Sequence, residues 1–124
     1  MSLITVDYGT VTGGEKLHNV IEVGFTYVKT GTNYTYCGLM KTDANGKYAG
    51  SIDGDNASGY YIRVNWSSPN WVVTALKPCK VISQLAPDNI SIDEYSANDV
   101  IAQFPESTFN NNDNKACFFF VVDD

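Results

Sequence analysis

Apolar residues recur at every second position through most of this chain, the spacing that gathers side chains on one face of a β-strand. The cleanest run is 17–29, where Ile21, Val23, Phe25 and Tyr27 share one face and His18, Glu22 and Thr26 the other. Residues 3–12 read as an earlier strand, with Ile4, Val6 and Tyr8 together and Gly13-Gly14 as its end. Gly31-Thr32-Asn33 supplies a turn before a third strand at 34–42. Asn45-Gly46 is the sharpest turn signal, because both residues tolerate the positive φ angles of a type I′ hairpin. It predicts that strands near 39–43 and 47–52 pair across it. Tyr60, Ile62, Val64 and Trp66 then alternate against Tyr61, Arg63 and Asn65, and Ser67-Ser68-Pro69-Asn70 turns the chain. Residues 71–76 return as the hairpin partner, apolar on both faces. A short apolar run, 81–85, lies between Pro78 and Pro87. Residues 116–122 are apolar on both faces, as expected of a central strand or one covered by a partner chain.

One segment reads otherwise. Ser91-Ile92-Asp93-Glu94 matches a capping box, in which Ser and Glu side chains each take up an orphan main-chain N–H at a helix start. Ser96 with Asp99 three residues on is a competing start. In either register Val100, Ile101 and Phe104 form an apolar stripe, and Pro105 ends it. The pattern predicts a short α-helix near 91–104.

Strands at hairpin spacing without repeated helical crossovers exclude a parallel sheet. The expected fold is mainly β: an antiparallel β-sandwich or barrel-like domain of about 7–9 strands with that single helix. The length of 124 residues and a hydrophobic content of 44% suit one domain spanning 1–124 with one ordinary core. Aromatics at 13%, with few helix formers, agree with the β reading.

Charge narrows the partners. With a net charge of −6 and only eight Lys and Arg, the chain lacks the basic face that releases counterions from nucleic acid. No run approaches the ~18 apolar residues of a membrane span, and the opening residues lack the basic and apolar regions of a signal peptide. Cytoplasmic synthesis is the expectation. Cys37, Cys79 and Cys117 are odd in number and widely spaced, which excludes a complete disulfide framework and suits buried free thiols.

Candidate chemistry is sparse. Nucleophilic catalysis of the Ser–His–Asp or Cys–His kind needs an imidazole base, and the sole His18 is expected on the outer face of its strand beside Glu22. One His and three scattered thiols make no zinc pattern, and no cofactor-binding motif is present. Asp53-Gly54-Asp55-Asn56 keeps the first two acidic positions of a calcium loop, but Ala57 and Ser58 occupy the positions that follow. Asp53 and Asp55 are therefore candidate metal or hydrolytic carboxylates, but a solvated loop explains them better. No catalytic residue is assigned. The remaining resource is aromatic: Tyr61, Trp66 and Trp71 on the 60–76 hairpin are candidate binding residues for a sugar ring or a protein surface. Alternation sends Tyr60 and Trp66 to the core and leaves Tyr61 as the exposed member.

The opening Ile4-Thr5-Val6-Asp7-Tyr8-Gly9-Thr10-Val11-Thr12-Gly13-Gly14 and the ending Phe118-Phe119-Phe120-Val121-Val122-Asp123-Asp124 resemble those of small prophage-encoded, virion- or tail-associated β-rich proteins of Gram-positive bacteria. The resemblance implies a compact particle subunit, often oligomeric, and transfers no site residue. The leading expectation is a non-enzymatic structural or adhesion module acting through protein–protein contacts or self-association, assembled into a virion. The alternatives are a glycan-binding module using the aromatic hairpin, a small carboxylate-dependent hydrolase, and a regulator that acts by binding another protein.

Overall fold

The alternation becomes strands almost throughout. A computed structural model describes residues 5–7, 10–12, 17–27, 29–30, 33–34, 38–42, 48–52, 59–86, 89–105 and 116–123. In chain order the strands are β1 (Thr5–Asp7), β2 (Thr10–Thr12), β3 (His18–Tyr27), β4 (Lys29–Thr30), β5 (Asn33–Tyr34), β6 (Gly38–Thr42) and β7 (Tyr48–Ile52). They continue with β8 (Ile62–Ser67), β9 (Asn70–Ala75), β10 (Cys79–Ala86), β11 (Asn89–Tyr95), β12 (Val100–Pro105) and β13 (Ala116–Val122). All pairings among them are antiparallel.

The larger sheet has eight strands and runs β1-β2-β3-β13-β10-β11. Opposite β13, β3 also pairs with β6 over Glu22–Phe25, and β6 with β7. A second sheet has the order β12-β9-β8, and β4 with β5 forms a separate ribbon. The pairing of β6 with β7 is the hairpin expected across Asn45-Gly46. Within 3–12, expected to be one strand, β1 and β2 pair antiparallel with each other, Asp7 opposite Thr10.

The two sheets share a core. Val81, Cys117, Phe119 and Val121 of the larger sheet pack with Ile62, Val64, Val73 and Phe104 of the smaller. Phe104 and Phe119 stack across the gap with centroids 6.5 Å apart. The opposite face of the larger sheet holds a second cluster that includes Val23, Phe25, Ile82 and Phe120. β13 sits between β3 and β10 and contributes to both clusters, which is why its sequence is apolar at every position from Ala116 to Val122. Full burial of Phe119 or Phe120 contributes about 1.5–3 kcal/mol each.

No helix forms over 91–104: these residues are most of β11, a corner, and most of β12. The expected capping partners do meet, in a different service. The Ser96 N–H donates to Asp99 Oδ2 at 2.7 Å, and the Asp99 N–H donates back to the Ser96 carbonyl at 3.1 Å. Asn98 between them has φ 73°, a left-handed conformation that Asn tolerates and a helix interior excludes. The corner hands the chain from one sheet to the other. Its attachment to the small sheet is main-chain, from Asn98 N–H to the Ala75 carbonyl and from Ala75 N–H to the Asp99 carbonyl.

A second departure lies in β3. The register with β13 slips between Val121 and Val122, so that Val122 faces Val20 and Val121 faces Glu22. This bulge inverts the alternation: Val20 and Val23, an odd number of residues apart, join one cluster, while Ile21 packs against the other. The slip thus carries His18, which lies opposite Val11, and Val20 to the face of Val23, while Glu22 keeps the face opposite Val23, which the small sheet covers. His18 is 7% exposed and Glu22 fully buried.

Candidate functional site

Glu22 is a fully buried carboxylate. Its two carboxylate oxygens accept hydrogen bonds from the main-chain N–H groups of Tyr61 at 2.7 Å and Ile62 at 2.8 Å. Two successive N–H groups converging on one anion form a small cationic concavity, here filled by a side chain of the facing sheet. The carboxylate thus pins the start of β8 to β3. It also lies close enough to Cys79 to reinforce the effect of partial burial, and the two together push that thiol above its ordinary value of 9.0. Burial, followed by the Asp93 charge, likewise raises the Tyr95 phenol. Cys117 is buried, and its thiol donates to the Leu85 carbonyl oxygen at 3.6 Å.

The aromatic hairpin is formed as expected, with Trp66 directly opposite Trp71 and Ser67 opposite Asn70. The two indoles meet edge to face, centroids 5.1 Å apart. Their exposures reverse the reading from alternation. Tyr61 is half-buried against the core, with the Lys77 ammonium 4.2 Å from its ring centroid. Trp71 also packs on the core, whereas Trp66 is 41% exposed. Burial decays along β8 toward the turn, so the inward row Ile62–Val64–Trp66 outruns the cover that the facing sheet gives it. Asp53 and Asp55 lie outside the described residues, as does Cys37.

His18 lines a shallow open cleft with Lys80, Ile92, Asp93 and Glu94, a wall of mixed charge. Among the described residues no three His, Cys, Asp or Glu side chains are placed to hold a metal ion. No helix among them is long and apolar enough to cross a membrane.

The exposed apolar groups are distributed unevenly. Among the described residues, the large hydrophobic side chains most open to solvent, besides Leu17, are Trp66 on β8, Ile90 and Ile92 on β11, and Val100 on β12. β8 and β12 are the two edges of the small sheet, and β11 is an edge of the large one. Ile90 and Ile92 were hidden from the sequence reading by the helix assignment. Their period-two spacing in Asn89-Ile90-Ser91-Ile92-Asp93 was the available signal.

No protein-family model matches the chain, no curated protein matches it, and no solved structure matches it.

Proposed function

We propose that this chain is a non-enzymatic structural or adhesion module that works through protein–protein contact, a self-associating subunit of a phage or prophage particle, tail-associated. The supporting observation is the placement of Trp66, Ile90, Ile92 and Val100 on sheet-edge strands. Isolated exposed hydrophobics are ordinary on any surface, but apolar side chains beside open main-chain edges are what one chain offers another for sheet extension. A low density of charged residues, 18%, lowers the desolvation cost of such contacts. Size-exclusion chromatography with light scattering over about 1–200 µM, spanning typical weak-assembly affinities, tests the reading. It expects a mass that grows with concentration, and a strictly monomeric chain across that range counts against the assembly.

The exposure of Trp66 favours a second reading, glycan binding at the tip of the β8–β9 hairpin. A glycan array carries its test: a specific sugar whose signal disappears in Trp66→Ala supports it, and background signal throughout removes it.

A further inference from the structure

We propose that β11 pairs edge to edge with β11 of a second copy, antiparallel about a two-fold axis that passes beside Ser91. This rests on the self-association reading and names its surface. β11 pairs with β10 and, among the described residues, with no strand on its other side. Ile90, Ser91, Ile92, Asp93 and Glu94 are all exposed, so side chains on both faces of the strand reach solvent. A strand covered on one face does not show that pattern. Natural edges are commonly guarded by a Lys, a Pro or a bulge. Residues 89–95 contain neither Lys nor Pro, and their register with β10 is regular from Ile90 to Tyr95, the bulge falling between Gln84 and Ala86 of β10.

Charge and side-chain type select the register. With Ser91 opposite its own copy, Ile90 lies opposite Ile92 of the second copy and Ile92 opposite Ile90. One face of the joint then carries four isoleucines. On the other, Asn89 lies opposite Asp93 and the two serines meet, so no like charges face each other within 89–93; Glu94 falls opposite Asp88 of the second copy, and the pairing stops short of it. Centring the axis on Ile92 sets Ile90 against Glu94, and centring it on Asp93 brings two carboxylates together in a chain whose net charge is already −6. A two-fold contact of this kind is closed, so it ends at a dimer rather than continuing as a fibre. Pairing over 89–93 supplies on the order of four to six main-chain hydrogen bonds, according to which set of groups points outward. Such a contact is at the small end of specific interfaces, and its dissociation constant falls in the micromolar range or above.

Cysteine cross-linking of the full chain reads the register directly. Opposed residues in an antiparallel pair have Cα atoms about 4.5–5.5 Å apart, within disulfide reach. Ser91→Cys at about 50 µM, a concentration set by that affinity range, is expected to give a covalent dimer under mild oxidation, several-fold above the parent protein treated identically. Asp93→Cys, whose two copies would sit about 13 Å apart at the strand rise per residue, stays at the parent's level. Ile92→Lys, a change at an already exposed position, is expected to weaken self-association at least tenfold by light scattering with an unchanged circular dichroism spectrum. Equal cross-linking of Ser91→Cys and Asp93→Cys, or an oligomer that Ile92→Lys leaves intact, overturns the edge pairing while the assembly reading stands. A monomer at every concentration overturns both.

Discussion

Replacing Glu22 by Ala removes the acceptor of two buried main-chain N–H groups, those of Tyr61 and Ile62. Each donor left without a partner costs about 1–3 kcal/mol, so the two together cost about 2–6 kcal/mol. Against this, the substitution relieves the burial of a carboxylate that is fully enclosed. We expect a net loss near 3 kcal/mol, which for a chain of this length lowers Tm by about 12 °C. Glu22→Gln keeps one acceptor oxygen but turns an NH2 group toward the second donor, so about half the loss is expected. The assay has a built-in local probe. Both tryptophans, Trp66 and Trp71, lie on the β8–β9 hairpin that Glu22 holds, so fluorescence reports the small sheet while far-ultraviolet circular dichroism reports all strands. In urea, the Glu22→Ala fluorescence midpoint should fall below that of the parent and at or before the dichroism midpoint. A loss under 1 kcal/mol with an unchanged denaturant slope would refute the pinning role.

Three further outcomes follow from the packing and the corner. Phe119→Ala, which empties a fully buried site stacked on Phe104, should cost about 3–5 kcal/mol in urea unfolding, whereas Trp66→Ala at the exposed hairpin tip should cost about 1 kcal/mol or less; equal losses would contradict the assigned burial. Asn98→Gly should leave stability within about 0.5 kcal/mol of the parent, while Asn98→Val, β-branched at φ 73°, should lose about 1–2 kcal/mol; a Val variant as stable as the Gly variant contradicts the left-handed corner. Cys79 and Tyr95 hold their protons more tightly folded than unfolded, so the stability they contribute is complete below about pH 9 and is lost as pH rises through their raised folded values. Urea midpoints should therefore decline above pH 9, and Cys79→Ala should delay the onset toward the ordinary tyrosine range near 10.0; an unchanged onset would clear the thiol.

Legibility in the sequence tracked how local each determinant is. The β8–β9 and β6–β7 hairpins follow from two-residue periodicity and turn chemistry, and the apolar run at 116–122 correctly announced a strand buried on both faces. The expected helix is absent although the Asp99 carboxylate takes up the Ser96 N–H as it would at a helix start, because at this corner the Ser96 carbonyl, not its side chain, accepts from the Asp99 N–H. Asn98, and the pairing of β11 with a strand ten residues before it, also set the corner apart from a helix start. The buried position of Glu22 was illegible for another reason. It depends on the small sheet covering that face of β3, and alternation gives the face on which a residue lies but not what covers it. The exposed Trp66 depends on where the facing sheet stops, which is a property of the assembled layers.

The central place of β13 bears on the order in which the molecule is built. Phe118 pairs with Phe25, roughly ninety residues earlier, and closing a loop that long costs about 2 kcal/mol more entropy than closing one of ten. Short hairpins form in microseconds, well before that closure is rewarded. Until β13 arrives, β3 and β10 are two unfinished edges with the phenylalanine and valine side chains of both clusters uncovered. Refolding should accordingly be slow and prone to clumping at high concentration, and a chain still being synthesised depends on its last described strand to close the sheet.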